Sequence, residues 1–177
     1  MWLPAPVAKP NCKSDQASGE LDIYTRGELD MINVAIIGTG SIANSHMKAY
    51  MKFPDRCQIV ALSDIYPEKA EAANEKHQLN AKVAADYKTL LEDPDIDLVS
   101  VCTPPYTHAP ITVDFLNAGK HVIVEKPMAS SLQECDEMNA AAKASGKKLS
   151  VIAQNRFLTP IMKLKQVLDT GLMGKIV

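Results

Sequence analysis

The chain has 177 residues, 46% of them hydrophobic and 23% charged, a balance that suits a folded globular protein of one ordinary domain with part of a second. A net charge of -2 without a basic patch excludes a nucleic-acid footprint, and no apolar run approaches membrane-spanning length. The four cysteines, Cys12, Cys57, Cys102 and Cys135, form neither a CxxC pair nor a zinc-type cluster with histidine, so no metal is expected and the thiols fit a reducing compartment.

Residues 1–30 read as a disordered tail. Pro4, Pro6 and Pro10 interrupt its start, a polar run from Lys13 to Glu20 follows, and no period of 2 or 3.6 is sustained. The prolines deny the N-terminus the unbroken apolar stretch of a signal peptide, and a cytoplasmic location is expected. From Met31 onward strands alternate with helices. Val34–Ile37 is a continuous apolar run, the kind buried on both faces of a parallel sheet. Gly38 to Gly40 turn the chain into a helix that reaches about Met51. Ile59–Ser63 is the second strand, and Pro67 opens an Ala- and Glu-rich helix ending near His77. A short strand around Val83 precedes a short helix capped by Asp86 and ending near Glu92.

Leu98–Cys102 is the fourth strand, followed by a helix from Thr107 to Ala118 that Gly119 stops. His121–Val124 is the fifth strand. Leu132, Cys135, Met138 and Ala142 mark the inward face of the next helix, which Gly146 ends. Leu149–Ile152 is the sixth strand, a helix spans Pro160–Asp169, and Gly174–Val177 has the pattern of one more strand beginning. Right-handed crossovers joining six such strands predict an α/β fold, a doubly wound parallel sheet in the order 3-2-1-4-5-6.

Three places in this frame carry chemistry. Gly38-Thr39-Gly40-Ser41-Ile42-Ala43 reads G-x-G-x-x-A between a strand and a helix, the context a dinucleotide fingerprint requires. Gly38 permits the tight turn, Gly40 leaves room for a pyrophosphate, and Ala43 lets helix and strand approach. The N–H groups of the helix start, around Ser41 and Ile42, then face the phosphates. Asp64 ends the second strand, 26 residues past Gly38, where an acid bonds the adenosine ribose and repels a 2′-phosphate. Ile65 beside it also favours NAD over NADP. Thr103 and Pro104 follow the fourth strand, across the switch point from the glycine turn. His108 either starts the next helix or lies on the cofactor side. Glu125-Lys126-Pro127 ends the fifth strand. By spacing alone it is an ordinary surface turn. A buried lysine there could orient a substrate hydroxyl, and Pro127 could adopt a cis bond.

These segments, together with Cys102-Thr103-Pro104-Pro105-Tyr106-Thr107-His108, Gly119-Lys120-His121-Val122-Ile123-Val124-Glu125-Lys126-Pro127 and Gln154-Asn155-Arg156-Phe157, resemble the Gfo/Idh/MocA oxidoreductase family in the same order from Ile32 to Val177. The resemblance implies a Rossmann-type domain over residues 31–155 and the beginning of a truncated C-terminal α/β substrate domain over residues 156–177. It implies a nicotinamide-dependent dehydrogenase, NAD preferred, that moves hydride between cofactor and a secondary hydroxyl of a sugar or cyclitol. Lys126 is then the catalytic residue that meets substrate. Glu125 lies near the nicotinamide ribose, and Asn155 and Arg156 flank the nicotinamide end. The proton-accepting histidine of such enzymes lies in the second domain, and none of His46, His77, His108 and His121 matches it. Residues 1–177 alone are therefore expected to be inactive, and Leu164, Val167, Leu168, Ile176 and Val177 to lie uncovered. A homo-oligomeric parent is expected, with no nucleic-acid or membrane partner. A non-catalytic dinucleotide-sensing module is the alternative, since this fold does not dictate catalysis.

Overall fold

The computed structural model describes residues 31–175. The expected tail over residues 1–30 lies outside the described residues. Six strands form one parallel sheet: β1 (Ile32–Ile37), β2 (Cys57–Ser63), β3 (Lys82–Ala84), β4 (Leu98–Val101), β5 (His121–Val124) and β6 (Leu149–Val151). Their order is β3-β2-β1-β4-β5-β6, every neighbouring pair parallel, as the strand–helix rhythm predicts. Strand β1 sits at the centre because the chain winds outward from it in both directions, and its last four residues are buried.

The helices are α1 (Ser41–Tyr50), α2 (Pro67–His77), α3 (His108–Asn117), α4 (Leu132–Ser145) and α5 (Thr159–Asp169). The two-residue period of β1 divides the core into two layers. Val34 and Ile36 pack with Ala43 and Met47 of α1 and Ala70 and Ala73 of α2. Ala35 and Ile37 face the other way, into a cluster with Phe115 and Leu116 of α3 and Met138 of α4. Small residues on the inner faces of α1 and α2 bring those helices close to the sheet.

Turn chemistry closes the elements where the sequence places it. Gly119 and Gly146 both take positive φ, +76° and +67°, just past α3 and α4. Helix α4 starts with a capping box. Ser131 Oγ accepts from the Glu134 N–H, and the Glu134 carboxylate accepts from the Ser131 N–H.

Several expectations need correction. The segment after Asp86 is a single 3-10 turn, Tyr87–Leu90, rather than a helix to Glu92. Pro94 drives Asp93 out of helical conformation and so bars any continuation past Glu92. Asp86 does cap that turn, accepting from the Lys88 N–H at 2.9 Å. Helix α3 begins at His108, since Pro105–Thr107 forms a separate 3-10 turn. Leu132, the first helical residue of α4, is not on its inward face but 85% exposed. Met138 is buried as expected, and Ala141 beside it is the other buried residue of α4. No strand has begun by Lys175, and Ile176 and Val177 lie outside the described residues. Helix α5 leaves Ile161, Met162 and Leu164 exposed, with Val167 and Leu168 half-buried.

Candidate active site

The carboxyl ends of β1, β2, β4 and β5 bring the fingerprint turn, Asp64, Thr103 and Glu125-Lys126-Pro127 to one edge of the sheet. Gly38 lies at φ +84°, and its N–H donates to the Ser63 carbonyl at 2.7 Å. A Cβ there would sit 2.9 Å from the Cys102 carbonyl oxygen and 2.9 Å from Thr103 Cγ2. Gly40 differs: nothing lies within 4 Å of a Cβ built on it. It is the N-cap of α1 and provides no side-chain cap, and the first turn carries no acid. Ser41 and Ile42 are exposed beside it. Uncapped N–H groups and the positive end of the helix dipole thus face open space.

Asp64 serves the turn as well as the cleft. Its Oδ2 accepts from the Thr39 N–H at 2.8 Å and from the Thr39 hydroxyl at 2.9 Å, and its Oδ1 accepts from the Tyr66 N–H at 3.0 Å. These bonds occupy three of the roughly four acceptor positions of a carboxylate. Partial burial opposes its charge, but the three bonds and the Lys69 ammonium outweigh it and hold the carboxyl below the ordinary aspartate range.

A cleft of about 610 Å³ opens between Asp64, Tyr66 and Lys69 on one side and Thr103, Pro104 and Tyr106 on the other. Ile65 is 81% exposed at its rim. Lys69 lies 4.3 Å from the centre of the Tyr66 ring, a cation–π contact. Sequence reasoning passed over Lys69, which no motif spacing marks; it reaches the cleft only because α2 starts directly after Asp64. Thr107 braces the opposite wall, its hydroxyl donating toward Thr103 Oγ1 and the Pro104 carbonyl.

His108 does not line this cleft. It is fully buried, so the cofactor-side assignment is corrected in favour of the helix start. Its Nδ1 lies 2.8 Å from the Pro127 carbonyl and its Nε2 2.8 Å from the Thr103 carbonyl. A ring with a single N–H donates to one of these carbonyls and only faces the other, and its burial leaves it without an open edge toward the cleft.

Glu125 is 5% exposed and points inward. Its Oε1 accepts from His46 Nε2 at 2.9 Å, and its Oε2 accepts from the Lys126 N–H at 3.0 Å. His46 Nδ1 in turn lies 2.7 Å from Ser100 Oγ on β4. The neutral tautomer with its proton on Nε2 satisfies all three groups, the Ser100 hydroxyl donating to Nδ1. His46 went unassigned by sequence reasoning. The available signal was its position beside Ala43 and Met47 on the buried face of α1, where a polar residue requires a partner. Burial pushes the Cys102 thiol up to about 12 against the hydroxyl of Ser100, and the nearby Glu125 charge adds to the rise. That thiol is a packing group, not a nucleophile.

Lys126 is exposed rather than buried, and its ammonium makes no ion pair among the described residues. The Lys126–Pro127 peptide bond is cis. Asn155 and Arg156 stand exposed in the 3-10 turn Gln154–Phe157 that follows β6, at the far edge from Asp64.

Residues 32–153 match the profile of an oxidoreductase family with an NAD-binding Rossmann fold. The chain belongs to the Gfo/Idh/MocA oxidoreductases. Among these, it is 30% identical over 145 residues to inositol 2-dehydrogenase of Salmonella paratyphi B, covering 81% of this chain and 43% of that protein. The WlbA dehydrogenase of Chromobacterium violaceum, solved with NADH and UDP-GlcNAcA, superposes with a TM-score of 0.78 at 34% identity, over 82% of this chain and 42% of that one. The myo-inositol dehydrogenase of Lactobacillus casei, solved with NAD(H) and myo-inositol, gives 0.75 at 34% identity, over 81% and 43%. The chain thus spans less than half the length of the Gfo/Idh/MocA proteins it matches.

Proposed function

We propose that this chain forms the cofactor site of a dehydrogenase that oxidises a secondary hydroxyl of a sugar or cyclitol, with NAD preferred over NADP. The reading rests on the placement of an exposed Lys126, without an ion pair among the described residues, on the same sheet edge as the Gly38–Gly40 turn and Asp64. The open space at Gly40 and the uncapped start of α1 fit a pyrophosphate. The remaining acceptor position of Asp64 suits an adenosine ribose hydroxyl, and Thr103 and Pro104 wall the cleft opposite it. When bound, the nicotinamide supplies the hydride acceptor. Lys126 holds the substrate hydroxyl and offers positive charge to the oxygen as its proton passes to the second-domain histidine that the family resemblance implies. Glu125 supports Lys126 from beneath the nicotinamide end, and Asn155 and Arg156 flank that end. Myo-inositol and UDP-GlcNAcA, the compounds bound by the two solved relatives, are both polyhydroxylated rings.

Calorimetric titration of NAD and NADP into the chain tests the cofactor choice. NAD should bind more tightly, because the Asp64 carboxylate repels a 2′-phosphate. Asp64→Ala should narrow the gap, with a loss of NAD affinity of about tenfold for one charge-assisted hydrogen bond. Tighter NADP binding by the unchanged chain would refute the assignment.

Turnover is a separate expectation. The Lys126 ammonium stands in water, where screening weakens the field that catalysis needs. Residues 1–177 should bind NAD yet form no NADH when myo-inositol or a hexose is added. Sustained absorbance growth at 340 nm (the NADH band) would show that this chain catalyses on its own.

A further inference from the structure

Two buried histidines grip the Glu125-Lys126-Pro127 turn, one at each end. His46 Nε2 bonds the Glu125 carboxylate, and His108 Nδ1 bonds the Pro127 carbonyl. The second nitrogen of His46 is tied to β4 through Ser100 Oγ, and that of His108 packs 2.8 Å from the Thr103 carbonyl in the loop leaving β4. Each imidazole therefore spans from β4 to the turn after β5. The two rings come from different helices, α1 and α3, and are 9% and 0% exposed. Lys126 is the one residue of the turn to which neither ring hydrogen-bonds, and its side chain is exposed.

We propose that His46 and His108 are paired positioning residues that fix the Glu125-Lys126-Pro127 turn, and with it the Glu125 carboxylate at the nicotinamide end and the place where Lys126 presents its ammonium. The proposal rests on the dinucleotide reading above. A two-ended brace suits the task, because a lone turn after a strand could swing about either flank. Burial of both rings keeps water from competing for the bonds to the Glu125 carboxylate and the Pro127 carbonyl, so the constraint is stiff. The chain from Ser100 through His46 to Glu125 also connects the fingerprint helix to the lysine turn, which places both on one rigid frame.

The two rings hold the turn through different nitrogens, which makes the idea testable. An asparagine amide nitrogen stands near the place of Nδ1, and a glutamine amide nitrogen near that of Nε2. His46 grips Glu125 through Nε2, so His46→Gln should preserve the brace and His46→Asn should lose it. His108 grips Pro127 through Nδ1, so the order reverses: His108→Asn preserves it and His108→Gln loses it. The readout is the affinity of the 177-residue chain for NADH and for ADP-ribose, which lacks the nicotinamide, with thermal unfolding of every variant measured alongside.

The two brace-losing variants should bind NADH about tenfold more weakly and ADP-ribose as before, the size expected for one lost hydrogen bond to a charged or buried partner. Equal effects of Asn and Gln at each position, losses shared by ADP-ribose, or losses that simply follow the unfolding temperature would each overturn the brace. So would an unchanged chain that binds NADH no more tightly than ADP-ribose, since the turn would then add nothing at the nicotinamide end. An unchanged chain that binds neither ligand overturns the dinucleotide reading itself, and the brace with it.

Discussion

Gly38→Ala should destabilise the protein by about 2–5 kcal/mol, the sum of a left-handed backbone penalty for a residue with Cβ and an overpacking cost. The backbone at φ +84° accounts for the first part. The second follows from the 2.9 Å approach of the new Cβ to the Cys102 carbonyl oxygen, a backbone atom of the loop leaving central strand β4 that cannot rotate aside. Against a typical domain stability of about 5–15 kcal/mol this is a large fraction. Gly40→Ala should behave oppositely. Its φ of -68° suits any residue, and its Cβ meets nothing. Urea unfolding should place Gly40→Ala within about 0.5 kcal/mol of the parent, as for a surface substitution. Its NAD affinity should nevertheless fall by about tenfold or more, because the methyl occupies the approach of the pyrophosphate. A Gly40→Ala chain that binds NAD normally would remove the physical basis of the fingerprint. A Gly38→Ala chain as stable as the parent would show that β4 yields more readily than its central position implies.

Phe115→Ala should cost about 3–5 kcal/mol, the range for deleting a fully buried aromatic side chain. Phe115 has no exposed surface and stands in the layer shared by β1, β4, α3 and α4. It also supports the cleft. Its ring lies 5.8 Å from that of Tyr87, tilted by 46°, and Tyr87 lines the cleft. The Tyr87 hydroxyl donates to Asp114 Oδ2 at 2.8 Å, and burial together with that carboxylate pushes its phenol up to about 12. The neutral phenol is thus favoured in the folded protein. Its stabilising contribution is whole below pH 10, the ordinary tyrosine value, and is lost as pH rises through about 12. In Phe115→Ala the ring loses its neighbour, and its ionisation should move back toward pH 10 in an ultraviolet titration. A variant with unchanged stability and the same late-titrating tyrosine would show that the layer closes over the missing ring.

The sheet order and the glycine turn were legible without coordinates, because they depend on near neighbours in sequence. Apolar runs alternating with 3.6-period segments force parallel pairing, and right-handed crossovers leave few orders open. Gly119 and Gly146 mark helix ends through a backbone preference that acts within one residue. Pro94 is equally legible as a stop, since it keeps Asp93 out of helical conformation.

What the tertiary structure decided are the partners of the polar side chains. His46 and Glu125 are 79 residues apart, and only the meeting of α1 with the end of β5 joins them. His108 carries a motif position that suited either a helix start or a ligand contact. Its full burial at the first position of α3, away from the cleft lining, settled the choice. Asp64 was placed correctly at the end of β2. Its bonds to Thr39 could not be read from spacing, since they depend on how closely two strand ends converge. Periodicity and turn chemistry are properties of the local chain. Hydrogen-bond partners belong to the packed molecule, where the cost of leaving a buried polar group unpaired selects among contacts that the sequence alone leaves equivalent.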